Sequence, residues 1–511
     1  MKAKNIIFLL SDDQGAWSLA PYGNPDVVAP ALDRMAAEGV CFENFYCTSP
    51  VCSPARASIF TGEMPSQHGV LDWLGGGAVR KDAYRDLPLD REKALTDLIP
   101  EVRNDPSRTT VTYQDTVNYH KYMNYEHGPI DYLAGHPFFT ELLQQHGYTC
   151  GIAGKWHLGN AMEAQKGFSF WRVVPRGGTP YQMPDRVVDG KPVISYGYST
   201  DVIMDDAMAF LEERPKDRPF YLSVHFTAPH DPWRKEDHPQ ELWDLYEGCD
   251  FSSMPNLPLH PDQVLKRSHP TSPEHRMEMI RAHFAAISGM DRQIARLMEA
   301  LEASGELENT VVFFTADNGV NLGQHGIWGK GNGTFPMNLY ETSVKVPFLA
   351  CGGGLPRGAR VRSLCSHYDI FQTVLDIAGI PAPEGALPGE SLLPLLEEPD
   401  RERDVVVCDE YGPVRMIRAG DWKLIYQYPY GPHYLFNLAD DPEEAYNRIS
   451  DPACQTVAQS LFQRLESWFG RYSCPQYDGR RFPVDGEGQM ERLESYGSDK
   501  TVFLKYGLSS R

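Results

Sequence analysis

Residues 5–13 read Asn5-Ile6-Ile7-Phe8-Leu9-Leu10-Ser11-Asp12-Asp13, an apolar run of five that stops on a pair of acids. A run this short, bounded by polar residues, fits a strand buried on both faces, as in parallel sheets. The pattern recurs at residues 149–153, 220–226, 311–315 and 346–350, each followed by polar or glycine-containing sequence with reactive side chains. Helical patterns lie between these runs. Residues 30–38 open with Pro30, suited to a first helical turn; residues 137–146 carry Phe138, Leu142 and Leu143 on one stripe; residues 274–303 form a long amphipathic stretch. The alternation predicts an α/β fold, a large mixed, mostly parallel sheet sandwiched by helices. Ligands collect beyond the carboxyl ends of strands in such sheets, so the five strand exits are expected to converge on one site.

From about Val405 the spacing changes. Strand-like runs at 405–408, 414–418, 422–426 and 434–437 come in close succession and a helix follows near 457–469. This predicts a smaller C-terminal α+β subdomain with a four-stranded antiparallel sheet, joined through the Pro/Gly-rich residues 379–389. The expected division is a catalytic domain over 1–380 and the subdomain over 381–511. Two long polar segments, 72–135 and 175–198, interrupt the first part and are expected to be functional loops. Tyr113, Tyr119, His120, Tyr122, Tyr125 and His127 crowd the first, either as a pocket wall or as packing for the loop.

The chain has 511 residues, with 48 Lys+Arg against 69 Asp+Glu, a formal charge of −21. That balance repels phosphate backbones and anionic lipid, which excludes general nucleic-acid and membrane-surface binding. An anionic substrate must therefore meet a local cluster of cations. The opening apolar run is shorter than the roughly 7–15 residues of a secretory leader and lacks a small-residue cleavage site. No stretch approaches the ~18 apolar residues of a membrane span, so a cytoplasmic location is expected. Ten cysteines are scattered without a CxxC pair; all but Cys52 read as idle thiols.

Asp12 and Asp13 follow the first strand, and Asp317 and Asn318 follow the run at 311–315. Either pair alone reads as a cap or turn. Brought together, three carboxylates and an amide oxygen repel one another unless a hard divalent cation sits among them. Oxygen ligands select Ca²⁺ or Mg²⁺ over zinc. The segment Cys52-Ser53-Pro54-Ala55-Arg56 is the most specific feature of the chain. Pro54 suits a helix start, which places Cys52 where backbone N–H groups favour an anion. Arg56, four positions on, shares its face and offers a fork of donors.

Cys52-Ser-Pro-Ala-Arg56 resembles the Cys-x-Pro-x-Arg signature of type I sulfatases, members of the alkaline phosphatase superfamily. Ala55 stands where that family most often has serine. Gly154-Lys155-Trp156-His157-Leu158-Gly159 and Thr227-Ala228-Pro229-His230-Asp231-Pro232 resemble two further motifs of the family. So do Thr315-Ala316-Asp317-Asn318-Gly319 with Gly329-Lys330, and the C-terminal stretches 416–425 and 435–444. The similarity runs in order from Asn5 to about Asn447.

The resemblance implies an alkaline phosphatase-like fold and a sulfatase in which Cys52 is oxidised by a formylglycine-generating maturase, with the hydrated aldehyde as nucleophile. It implies that Asp12, Asp13, Asp317, Asn318 and residue 52 ligate Ca²⁺, with Mg²⁺ as the alternative. Arg56, Lys155 and Lys330 would neutralise the sulfate, His157 would serve as base for sulfate release, His230 as acid for the departing alcohol, and Asp317 as base in activating the diol. The expected substrate is a small sulfated sugar such as a glycosaminoglycan fragment, with aryl sulfates as further substrates. His68 and His325 are read as loop supports or site residues, Trp156 as packing, and Trp233 and Arg234 as able to reach the alcohol half of the substrate. Two other readings are a phosphonate or phosphate monoester hydrolase of the same superfamily and a non-catalytic sulfosugar-binding protein whose Cys52 stays a thiol.

Overall fold

In a computed structural model, the structure describes residues 4–80, 83, 128–265, 267–383, 385, 387–408 and 414–504. The main sheet has ten strands. In spatial order they are Ala359–Val361, Val40–Phe42, Phe348–Gly352, Thr310–Ala316, Asn5–Ser11, Phe220–His225, Thr149–Lys155, Phe170–Val174, Asp185–Val188 and Lys191–Ile194. The five from Thr310–Ala316 to Phe170–Val174 run parallel, and the pairings beyond them are antiparallel except the outermost one between Ala359–Val361 and Val40–Phe42. Side chains of the first strand alternate between two cores: Ile6, Phe8 and Leu10 join one, Ile7 and Leu9 the other. A strand apolar at every position therefore has both faces covered, as the mostly parallel, helix-sandwiched reading requires.

Helices Pro30–Glu38 and Pro273–Ala303 pack on one face. The second starts at Ser272, whose hydroxyl accepts the His275 N–H, with Pro273 in its first turn; both are sequence-level start signals. The helix expected over 137–146 is shorter, Phe139–Gln145. The apolar run at 346–350 is two strands. Lys345–Val346 pairs with Phe45–Tyr46 in a three-stranded sheet, and Phe348–Gly352 enters the main sheet. The break falls at Pro347, which has no N–H to continue a ladder. The segment 175–198, expected to be a loop, carries the hairpin Asp185–Val188 and Lys191–Ile194 that ends the sheet. Its alternating polar side chains hid it, because an edge strand need not be apolar on both faces. Of the segment 72–135, residues 81–82 and 84–127, with Tyr113, Tyr119, His120, Tyr122, Tyr125 and His127, lie outside the described residues.

Strands Asp404–Cys408, Val414–Ala419, Trp422–Gln427 and Tyr434–Asn437 form the four-stranded antiparallel sheet, with helix Gln455–Tyr472 packed on it through Leu461, Leu465 and Phe469.

Candidate functional site

The carboxyl ends of the parallel strands meet at one edge of the sheet. Ser11 hands on to Asp12 and Asp13, Ala316 to Asp317 and Asn318, Lys155 to His157, and His225 to the turn holding His230. Helix Cys52–Thr61 faces these exits, with every one of its side chains buried. It begins after extended Val51 and is closed by Gly62 at φ 70°, whose N–H donates to the Ser58 carbonyl. A left-handed residue at this place costs glycine nothing.

Cys52 Sγ lies 3.4 Å from Asp12 Oδ1, 3.8 Å from Asp13 Oδ1 and 2.9 Å from Lys330 Nζ. Arg56 Nε donates to Asp317 Oδ2 at 2.8 Å, and its Nη1 donates to the Lys155 carbonyl at 2.9 Å. Lys155 pairs with Asp12, and Lys330 with Asp13 at 2.6 Å. His230 Nε2 is 3.4 Å from Asp13 Oδ2, and its Nδ1 is 2.9 Å from Asp231 Oδ1. The residues read from the sequence as metal ligands and as catalytic therefore enter one neighbourhood; His157 lies near enough to Lys155 and Arg56 to feel their charge, and its Nε2 is 3.1 Å from the Leu74 carbonyl.

These groups shift one another. Burial, and then Asp317, raise the pKa of Asp12 above the ordinary carboxylate range in spite of Lys155. Burial raises Asp13 too, but Lys330 and His230 outweigh it and hold the carboxyl down to about 2. Burial lowers the His230 pKa, yet Asp13 and Asp231 overcome that and lift it to about 9. Burial, then Lys155 and Arg56, hold His157 well below its usual value, so its imidazole is neutral. Burial and Asp12 push the Cys52 thiol up; as a thiol it is no nucleophile near neutrality.

The cluster fits a hard cation. Ligand atoms of Asp12, Asp13, Cys52 and His230 all lie within 4.8 Å of one another. Asn318 Nδ2 donates to Asp13 Oδ1 at 2.8 Å, which leaves Asn318 Oδ1 buried and, among the described residues, without a hydrogen-bond partner. An orphaned buried carbonyl beside carboxylates is what an oxygen-ligated ion would satisfy. Asp317 is more occupied: Oδ1 accepts from the N–H groups of Asp13 and Asn318 at 3.1 and 2.8 Å, and Oδ2 from Arg56. Asp13 and His157 both hold positive φ, 57° and 52°, a conformation that costs a non-glycine residue energy and that the surrounding contacts must hold.

His68 supports a loop: Nε2 meets Ser58 Oγ at 3.2 Å and Nδ1 accepts the Val70 N–H. His325 stacks on Tyr340, with ring centroids 3.8 Å apart. Trp156 packs among Phe60, Phe168 and Trp171. Trp233 donates to the Pro229 carbonyl and so braces the His230 turn, whereas Arg234 pairs with Asp237 three residues on. The sequence reading missed Asp231, Tyr181, whose hydroxyl donates to the His230 carbonyl, and Gln14, whose buried amide has no partner among the described residues. Gln14 and Asp231 each adjoin a chosen residue, and that adjacency was the available signal.

A family model described as Sulfatase matches residues 4–82 and 105–380, and one described as N-sulphoglucosamine sulphohydrolase, C-terminal, matches 323–469. The chain is 25% identical to an N-acetylglucosamine-6-O-sulfatase of Bacteroides thetaiotaomicron, covering 92% of this chain and 87% of that one. It is 27% identical to a choline-sulfatase of Rhizobium meliloti, covering 88% and 83%. A solved structure of BT4656 in complex with its substrate D-glucosamine-2-N,6-O-disulfate shares the fold, with a TM-score of 0.69, 23% identity, and coverage of 92% and 98%.

Proposed function

We propose, from the premise that this chain belongs to the sulfatase family and is a type I sulfatase of the alkaline phosphatase superfamily, a hydrolase of sulfate esters, that it acts on small sulfated carbohydrates through an oxidised Cys52 and a bound Ca²⁺. The observation that carries this reading is the seat of Cys52. Its Sγ stands where the nucleophilic oxygen of the matured residue would be, at a buried helix start between Asp12, Asp13 and Lys330. Two of the compared proteins support a sugar substrate: one is named a sulfatase of N-acetylglucosamine, and the other binds a sulfated glucosamine.

Asp12, Asp13, Asn318 and residue 52, with Asp317 beside them, would hold the divalent ion, which supplies fixed positive charge against a sulfate oxygen. Position 52, once matured to a hydrated aldehyde, would offer two hydroxyls on one carbon, one to accept the sulfuryl group from the ester and one whose deprotonation would release sulfate by cleavage of the carbon–oxygen bond and restore the aldehyde. Arg56, Lys155 and Lys330 stabilise the charge that builds on the sulfate oxygens. His230, whose Nδ1 lies 2.9 Å from Asp231 Oδ1, would donate its proton to the departing alcohol oxygen. His157, neutral and buried, takes the proton of the second hydroxyl.

Intact mass and turnover test this together. Matured protein should weigh about 18 Da less than the cysteine form, since CHO replaces CH₂SH. It should prefer an aryl sulfate over the matching aryl phosphate in kcat/KM. An unmodified mass with full turnover overturns the nucleophile, and a preference for phosphate overturns the ester class. Among 2-, 4- and 6-O-sulfated sugars, choline sulfate and an aryl sulfate, a sulfated sugar should be the best substrate; exclusive action on choline sulfate overturns the carbohydrate assignment.

A further inference from the structure

Beyond helix Gln455–Tyr472 the chain turns back onto the main body, where Val484, Leu493, Val502 and Phe503 join the same apolar core as Ile6 and Phe8. Gln489, fully buried, there grips residues 69–75. Its N–H donates to the Trp73 carbonyl at 2.8 Å and its carbonyl accepts the Gly75 N–H at 2.9 Å, so that it brackets Leu74 in a parallel bridge. Its side-chain Oε1 accepts the Leu71 N–H at 2.9 Å. Its Nε2 donates to the carbonyls of Gly69 at 3.2 Å and Glu491 at 3.1 Å.

Leu74, held in this way, turns both backbone groups toward the site. Its N–H donates to the hydroxyl of Ser53, the neighbour of Cys52, at 3.1 Å, and its carbonyl faces His157 Nε2 at 3.1 Å. A carbonyl only accepts, so Nε2 carries the imidazole proton and the lone pair of the neutral ring lies on Nδ1. That atom is buried and has no partner among the described residues.

We infer that Gln489 is a positioning residue for His157: by fixing residues 69–75 it sets the Leu74 carbonyl, and through it the orientation and tautomer that leave Nδ1 as the basic nitrogen. The inference rests on the reading of His157 as the base for sulfate release. The backbone bonds of Gln489 to Trp73 and Gly75, with Gly488 N–H to Asp72 Oδ2 and Trp73 Nε1 to the Gly486 carbonyl, do not involve the Gln489 side chain and keep the tail docked when it is replaced. Substitution releases only the side-chain hold on Gly69 and Leu71, and should shift the Leu74 carbonyl through residues 69–73 while the fold stands.

The test is a double-mutant cycle on the matured enzyme with 4-nitrophenyl sulfate, using Gln489→Ala, His157→Ala and the pair. Gln489→Met, which keeps the volume and loses the amide, takes the place of alanine if that variant does not fold. Gln489→Ala should lower kcat by about 10- to 100-fold, the scale of a slight misplacement of a reacting group, with KM held within about twofold. In the His157→Ala background the same change should cost less than about twofold, because residues that act through one another are not additive. Unchanged kcat, a rise in KM alone, or an equal loss in both backgrounds overturns the inference. Full turnover by His157→Ala alone overturns the base assignment itself, and does so without reference to Gln489.

Discussion

Among the buried charges of the described residues, two clusters invite comparison. At the strand exits, Asp12, Asp13 and Asp317 face Lys155, Lys330 and Arg56. Between the main body and the small sheet, Glu341 and Glu444 face Arg418 and Lys423, with ion pairs of 3.0 Å, 3.1 Å and 2.7 Å, and the Tyr46 hydroxyl donates to Glu341. Pairing does not tell them apart, and neither does burial, which also raises the pKa of Glu444, to about 7. The difference lies in what is left over. In the first cluster Asn318 Oδ1, Arg56 Nη2 and His157 Nδ1 are buried without partners among the described residues, and His230 opens partly to solvent. In the second, Glu444 Oε1 also lacks a hydrogen bond among the described residues, but it lies 2.7 Å from the Lys423 ammonium, so each charge named has its counter-charge within the protein, and Lys423 is fully enclosed. A closed charge cluster holds two layers together, whereas one with unspent donors and acceptors is built for something that arrives.

The comparison can be broken at either end. Cys52→Ala in otherwise matured protein should lower kcat by at least about 10³-fold and leave thermal unfolding nearly unchanged; retained turnover would place the chemistry elsewhere. Chelation of divalent ions should also remove turnover, by about 10²–10³-fold, and added Ca²⁺ should restore it. A chelator-treated enzyme of full activity would leave Asn318 Oδ1 unexplained. Lys423→Met should do the reverse. It strips the enclosed Glu444 carboxyl of the ammonium that holds its pKa down and takes a partner from Glu341, so breaking the buried pair should lower stability by about 3–5 kcal/mol in urea unfolding, while the folded fraction keeps its kcat. If activity falls and stability does not, the second cluster is no latch.

The smallest effect belongs to Asp291, a buried carboxylate with no counter-cation among the described residues. Its oxygens accept the N–H groups of Leu32 and Ala31, at 2.8 and 3.1 Å, in the first turn of helix Pro30–Glu38. Burial pushes its pKa up to about 6, although those two bonds pull it down. The folded state then keeps a proton that the unfolded chain has lost between about pH 4 and pH 6. Its contribution is present below that window and is lost as pH rises through about 6. Asp291→Asn should flatten this slope, which amounts to about 1–3 kcal/mol; an unchanged slope in unfolding midpoints would assign it to another group.

Much of the site was legible because its residues are local to strong patterns. Asp12 and Asp13 end an apolar run, Cys52 and Arg56 share a helix start marked by Pro54, and Lys155 and His157 follow another strand. The braces were not. Tyr181 reaches His230 through one hydrogen bond from 49 positions away, and Gln489 holds Leu71 from 418 positions away; Asp231 adjoins His230 but, like the others, is a lone polar residue in a loop and carries no period. The hairpin of residues 185–194 escaped for a related reason, since half-exposed edge strands lack the apolar run that marked the central ones.

By itself the sequence determined the layered α/β architecture and which strand exits bear chemistry, because burial on two faces imposes a continuous apolar run and a turn interrupts it with what the site needs. Only the tertiary structure decided which polar groups are satisfied and which are not. That outcome depends on distances between residues hundreds of positions apart, as Asn318 is from Asp13 and Gln489 from Leu74, and a hydrogen bond is lost over an ångström that no local pattern records.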